Sequence, residues 1–312
     1  ALAEAKAALV GYALSSNRPG ELPCPDYGIG AGGLDGLSDA CAGNGNFVTI
    51  GRLPWKTLGL PDLRDASGES LWYAPAIELG GNGPIMINSE TVPSLRVIGN
   101  NAEPIAAVII APGKATSTQS RPQNLTAQMT PGRYLEAFNA TADTNVSVIA
   151  PNVSTEFTDQ VLLITRDKLM PVVERRVLAE LRTTLNSFTA LPNPTLNAGG
   201  DTTCTTGVSQ GFLPQTCTTP VVAWPGWFIP NGWRALIWYA YDNPKSIIVD
   251  GTGGREAVLI TAGPAINGQN PAAPRGLANL LDSIENSDND LTFETPPIPI
   301  SATNNDWLLI VK

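Results

Sequence analysis

Histidine is absent from the 312 residues, so neither a Ser-His-Asp nor a Cys-His arrangement can be assembled. No lysine stands in a Ser-x-x-Lys motif. Twenty-eight Asp and Glu residues leave two-carboxylate hydrolysis formally open, yet their spacing along the chain singles out no pair. The run Gly28-Ile29-Gly30-Ala31-Gly32-Gly33 lacks the strand-to-helix setting of a phosphate cradle, and a turn is the expected role.

The four cysteines, Cys24, Cys41, Cys204 and Cys217, admit three pairings. With no Cys-x-x-Cys and no histidine, a zinc site would need a most unusual ligand set. The local pairs Cys24/Cys41 and Cys204/Cys217 would close short loops rich in Gly, Asp, Ser and Thr. They are read as disulfides, which places the chain in an oxidising, extracytoplasmic compartment. Asp26, Asp35 and Asp39 crowd the first of these loops, and Glu285, Asp288, Asp290 and Glu294 crowd the C-terminal region. Neither group has EF-hand spacing, so solvated turns are preferred to a structural calcium site, and no cofactor or metal ligand is assigned.

Trp224, Trp227 and Trp233 concentrate aromatic area in the second half. A core role is preferred, because Trp55 and Trp72 hold related places in the first half; the other reading is a face for a surface glycan or protein partner. Asn124, Asn139, Asn145 and Asn152 each head an Asn-x-Ser/Thr pattern, which Thr- and Asn-rich loops generate by composition. A net charge of −9 excludes nucleic acid as a partner, since such binding depends on Lys and Arg neutralising phosphates. Charged residues are only 15% of a chain that is 43% hydrophobic, so it folds. No apolar run is long enough to span a bilayer. The start without Met, directly in an Ala-rich helical pattern, leads us to expect a mature or truncated form.

These groups must be positioned by elements that recur. Tyr134 to Arg166 aligns with Leu280 to Lys312 at a constant offset of 146, placing Glu136 on Asp282 and Val161-Leu162-Leu163-Ile164 on Trp307-Leu308-Leu309-Ile310. Ala107-Val108-Ile109-Ile110 answers Ala257-Val258-Leu259-Ile260, and each run leads through a Gly/Pro turn to an arginine, Arg121 or Arg275. Leu71-Trp72-Tyr73-Ala74 answers Ile237-Trp238-Tyr239-Ala240, and Leu22-Pro23-Cys24-Pro25 answers Leu191-Pro192-Asn193-Pro194. Four blocks in one order point to duplication with loop drift. Two tandem α+β domains are expected, at 1–166 and 167–312. Their opening helices are expected at about 2–14 and 169–188, the second with Pro171 in its first turn and with Glu174, Arg175, Glu180 and Arg182 on its outer face.

The segments Leu22-Pro23-Cys24-Pro25-Asp26, Gly51-Arg52-Leu53-Pro54-Trp55-Lys56-Thr57-Leu58-Gly59-Leu60 and Leu71-Trp72-Tyr73-Ala74 follow the helix Ala5-Lys6-Ala7-Ala8-Leu9-Val10-Gly11-Tyr12-Ala13. In this order they resemble type IV pilin-like proteins, the minor pilins and the pseudopilins of type II secretion. The resemblance covers about the first 75 residues. It implies heads built of a helix on an antiparallel sheet with disulfide-stapled loops, and a non-enzymatic subunit of a pilus or secretion filament. Its partners would be other pilin or pseudopilin subunits, with the membrane reached only through an upstream hydrophobic helix absent from this sequence. The alternative is a secreted adhesin or carbohydrate-binding module using the Trp-rich face of the second domain.

Overall fold

An Ala-rich stretch with high helix propensity opens the chain as α1, Leu2–Ser15. Its buried residues Ala5, Leu9 and Ala13 recur every fourth position, and the helix packs on the strands Ile105–Ala111 and Gln160–Thr165. Two alanines in that stripe let the helix approach the sheet closely. Extended backbone at Ser16 (ψ 149°) stops it. The structure is a computed structural model. It describes residues 1–28, 33–41, 50–80, 86–98, 103–122, 128–140, 147–149, 157–196, 207–215, 223–266, 268–270, 275–297, 301 and 303–312.

Two compact units emerge from the contacts. The first comprises Ala1–Ile85 and Thr91–Leu169, the second Met86–Glu90 and Met170–Lys312. In the first, strands β1 (Gly51–Arg52), β2 (Trp72–Pro75), β4 (Ile105–Ala111) and β6 (Gln160–Thr165) form one antiparallel sheet in the order β1-β2-β4-β6. All seven residues of β4 are buried, as an unbroken apolar run requires of a central strand. Strand β3 (Arg96–Ile98) pairs in parallel with β5 (Ser147–Ile149). The core gathers Trp72, Val108, Ile110, Tyr134 and Leu135. At the sheet edge, Lys6 Nζ donates to the Leu163 carbonyl of β6 at 2.8 Å, which helps guard an open strand against further pairing.

The second unit orders its main sheet β7-β8-β11-β13, again wholly antiparallel. These strands are Gln210–Phe212, Ile237–Tyr241, Ala257–Thr261 and Trp307–Ile310. Here Trp238 opposes Ile260 and Tyr239 opposes Leu259, as Trp72 opposes Ile110 and Tyr73 opposes Ile109 in the first unit. A parallel pair recurs too, β9 (Ile247–Val249) with β12 (Thr292–Phe293). Strand β10 (Thr252–Arg255), antiparallel to β9, has no counterpart among the described residues of the first unit. The last strands correct the gapless alignment. Ile109 faces Leu162 and Leu259 faces Leu309, so Leu162 matches Leu309 rather than Leu308. The second unit therefore carries one extra residue ahead of its final strand.

Helix α2 runs Arg166–Asn186, three residues earlier than its pattern suggests, so Pro171 lies inside it rather than in its first turn. Val173, Val177, Leu181 and Leu185 form its buried stripe. Glu174, expected on the outer face, is 1% exposed and accepts a 2.6 Å hydrogen bond from Ser89 Oγ. Arg175 stacks over Trp307 of β13, 4.1 Å from the ring centroid. Two short helices follow β11, α3 (Leu277–Leu280) and α4 (Ile284–Ser287). Among the described residues no helix is long and apolar enough to cross a membrane.

The segment Met86–Glu90 of the second unit was invisible in the sequence pattern. Asn88 Nδ2 donates to the Asn231 carbonyl at 2.8 Å, Glu90 Oε1 accepts from the Ala265 amide at 3.0 Å, and Glu90 pairs with Arg275. Ile87 is fully buried there.

Cys24 and Cys41 form a disulfide across 17 positions. Cys204 and Cys217 lie outside the described residues.

Two glycines separate packing from propensity. A Cβ on Gly51 would lie 2.8 Å from Pro25 Cβ and 2.9 Å from the Asp26 carbonyl oxygen, whereas one on Gly11, inside α1, meets nothing within 4 Å. Gly51→Ala is expected to destabilise by about 1–3 kcal/mol through overpacking. Gly11→Ala should stabilise by about 0.5–1 kcal/mol, because alanine loses less entropy in a helix. Urea unfolding of both variants checks this, and equal effects would contradict the packing described around Gly51.

Candidate functional site

One pair of acids in each unit meets across the fold. Glu136 sits between two single-turn helices, Pro131–Arg133 and Ala137–Ala140, and Asp159 immediately precedes β6. The Glu136 amide donates to Asp159 Oδ2 at 3.0 Å, and the amides of Thr158 and Asp159 donate to Glu136 Oε2 at 2.8 and 3.0 Å. Gln119 Nε2 donates to Glu136 Oε1 at 2.7 Å. In the second unit Asp282 precedes α4 and Asp306 precedes β13. The Asp282 amide donates to Asp306 Oδ2 at 2.7 Å, the Asn305 amide to Asp282 Oδ2 at 2.7 Å, and Gln269 Nε2 to Asp282 Oδ1 at 3.0 Å. An arginine attends each cluster: Arg121, paired with Glu69 at 3.3 Å, and Arg275, paired with Glu90.

Burial is the main reason the aspartates of these pairs bind a proton more tightly than usual. Asp159 is pushed up to about 8, first by burial and further by the neighbouring Glu136 carboxylate, against opposing hydrogen bonds from the Glu136 amide and Asn139. Asp306 is raised well above its ordinary value, by burial and then by Asp282, and Asp282 is itself raised by burial. Two carboxylates this close hold one proton between them. A hydrolytic pair needs open faces toward substrate and water. Here the carboxyl oxygens either accept from main-chain amides and amide side chains or, at Asp159 Oδ1 and Asp306 Oδ1, are buried away from water, so each pair acts as a clasp that ties a turn to the start of an edge strand.

The second candidate is concave and lies in the first unit. Asp26 and Arg52 line two adjoining cavities of about 150 and 200 Å³. Leu53, Trp55 and Asp62 complete much of the first, and Tyr27, Ile50, Trp72 and Met129 most of the second. The chain reaches this geometry through the stapled loop. The Asp26 amide donates to the Arg52 carbonyl at 3.0 Å and the Arg52 amide returns a bond at 2.9 Å. Gly36, at φ +82°, presses against the Trp55 ring where any side chain would collide.

Both charged groups of the cleft are engaged. Asp26 accepts from the amides of Gly28 and Gly36 at 2.9 and 2.7 Å, and burial raises its proton affinity despite them. Arg52 donates to the Gln128 carbonyl at 3.0 and 3.3 Å and to the Ser70 carbonyl at 2.8 Å. Its guanidinium lies 4.1 Å from the Trp72 centroid and 4.3 Å from that of Tyr134, between two π faces. Burial lowers it to about 10, partly offset by Tyr134 and Glu69. This cation is held by carbonyls and rings, and among the described residues it forms no ion pair. The arrangement favours binding and rigidity over proton transfer.

The remaining sequence candidates fall apart in space. Trp233 is fully buried and Trp227 is 8% exposed, its indole donating to Glu180 at 3.0 Å. Trp224 is half-buried, packs near Phe188 and Phe228, and donates to the Pro214 carbonyl at 2.8 Å. Trp227 and Trp233 therefore belong to the interior, in line with the preferred core reading, while Trp224 is half-buried. The acidic loops use their carboxylates in local turns: Asp39 accepts from the Tyr27 amide, Asp35 from Leu37, Asp288 from Asp290 and Asp290 from Thr292. Among the described residues no group of three or more such side chains is placed to hold a metal ion. Asn139 is buried and donates to Asp159 at 2.9 Å, while Asn124, Asn145 and Asn152 lie outside the described residues. Comparison with protein-family models, with curated proteins and with solved structures gives no match.

The clasp makes a signed prediction. Folded Asp159 binds its proton more tightly than the unfolded chain does, so this stabilisation is complete below about pH 4 and is lost as pH rises through about 8. Across that window it falls by up to about 1.4 kcal/mol per pH unit. Asp159→Asn, which keeps an acceptor and places an amide where the acid carries its proton, should be stabilised relative to wild type increasingly from pH 5 to pH 8. Denaturant unfolding at several pH values checks this, and a pH-independent difference would refute the shared proton.

Proposed function

We propose that the chain is a non-enzymatic, extracytoplasmic structural subunit of the type IV pilin or pseudopilin kind, in which two copies of one helix-and-sheet head serve assembly or contact. The observation that carries this reading is the repeated scaffold. A helix precedes a four-stranded antiparallel sheet in each unit, with the same strand order, the same facing Trp-Tyr pairs and the same acid clasp. A duplicated head explains that recurrence more simply than convergence does. The residues resembling pilin-like proteins support it further. Leu22 to Asp26, Gly51 to Leu60 and Leu71 to Ala74 meet around the Cys24–Cys41 staple and the Arg52 cleft. The disulfide supports an oxidising location. Buried acids tied to main-chain amides and an engaged arginine support a role without chemistry. With Trp227 and Trp233 buried, no observation favours an aromatic glycan-binding face in the second unit.

The reading is tested by expressing the complete gene in its native host and shearing filaments from the surface. The protein is expected in the sheared fraction and should disappear from it when the prepilin peptidase is inactivated. Export as a free secreted protein, indifferent to that peptidase, would defeat the proposal.

A further inference from the structure

The second unit is completed by five residues from outside its own stretch of chain. Met86–Glu90 lies between Ile85 and Thr91, which both belong to the first unit, yet its contacts assign it to the second. Each residue from Ile87 to Glu90 has a specific receptor there. Ile87 is fully buried and its amide donates to Asn231 Oδ1 at 3.2 Å, while Asn88 Nδ2 donates to the Asn231 carbonyl at 2.8 Å. Ser89, also fully buried, donates to the buried Glu174. Glu90 accepts from the Ala265 amide and pairs with the buried Arg275. Gly232, at φ +69°, makes room for the segment: a Cβ there would lie 3.2 Å from Asn88 Nδ2 and 3.3 Å from Met86 Sδ. The second unit needs this visitor. In the first unit Arg121 draws its acid from Glu69, three positions before Trp72. Three positions before the matching Trp238 stands Ala235, which has no acid to give. A buried guanidinium without a partner is costly, and Glu90 supplies the partner.

We propose that the place holding this segment is a peptide-acceptor site for the sequence Ile87-Asn88-Ser89-Glu90, and that its partner in trans is the same segment of a second copy of the chain. Recognition is confined to four consecutive residues: an apolar anchor, an amide, a hydroxyl and an acid, each met by its own group of the second unit. Those contacts are the same whichever copy supplies the segment, so the closed and exchanged forms differ only in linkage, the condition under which swapping costs little. Linkage makes the chain's own segment a strong competitor, with an effective concentration in the millimolar range for a short connection. Exchange is therefore expected where the chain's own segment is weakened or where copies are held together at comparable concentration. The acceptor site does not rest on the filament reading.

The test uses two full-chain variants. Glu90→Gln keeps an acceptor for the Ala265 amide but removes the charge that Arg275 holds, so it weakens the segment and leaves the acceptor site intact. Gly232→Val crowds the acceptor site and leaves the segment intact. An equal mixture is expected to form a one-to-one heterodimer in native mass spectrometry and sedimentation, roughly tenfold or more tighter than either variant associates with itself. Should Gly232→Val fail to fold, a synthetic peptide of residues 86–91 takes its place. That peptide is expected to bind the Glu90→Gln chain roughly tenfold more tightly than it binds wild type, and to lose this advantage when its own glutamate is replaced by glutamine. A mixture that associates no more tightly than its folded components, or a peptide that does not distinguish the two chains, would overturn the proposal.

Discussion

A pair of buried carboxyl groups, with one aspartate of each pair held well above its ordinary proton affinity by burial, fastens the entry to the last strand of each unit's sheet. The last strand of each sheet, β6 or β13, is an edge strand whose entry needs an anchor. In each case the anchor is an acid just before the strand, exchanging bonds with an acid from the preceding turn. Two ionised carboxylates packed together away from water would repel, which favours keeping one of them protonated. Gln119 or Gln269 completes the ring of partners. What appears in isolation as an acid–base pair is a fastening.

The same scaffold meets its other polar obligations in two ways. In the second unit Gln210 and Phe212 satisfy and cover Trp238. In the first, Ile50 and Arg52 stand at the corresponding places, and a cation between the Trp72 and Tyr134 rings replaces a phenyl edge. The first solution leaves the Trp72 indole without a partner beside the stapled loop, whereas the second gives Trp238 one. The two units thus differ at this strand end, while the paired strands behind it keep the same facing residues. The segment Met86–Glu90 adds a further difference, since its Glu90 supplies Arg275 with the acid that Glu69 supplies to Arg121.

Much of this was legible in residue order. The apolar run Val108 to Ala111 reads as a central strand and lies within Ile105–Ala111, and the repeated Trp-Tyr and Leu-Leu-Ile blocks marked matching elements. The amide and acid residues before each final strand were visible as a recurring pattern, but not as clasp members, because their partners stand 23 or 24 positions away and no local period connects them. A single-residue insertion was hidden for the same reason: leucine repeats align equally well one step out of register, and only facing residues across the sheet decide. Trp227 and Trp233 lie in the core, the role preferred from the related places of Trp55 and Trp72. Aromatic clustering in sequence says nothing about which rings face inward, and Glu174 on α2 looked solvated because helical periodicity takes no account of Ser89 arriving from elsewhere in the chain.

The account rests most directly on the protonation of the clasps, which carbon-13 NMR of the side-chain carboxyl groups reads residue by residue. One carboxyl of the Glu136–Asp159 pair is expected to titrate near 8, with the aspartate–aspartate pair of the second unit also holding a proton well above the ordinary carboxylate range. If all four acids titrate at ordinary values near 4, the pairs are open to water. The clasp would then be contradicted, and the same carboxylates would become available for chemistry.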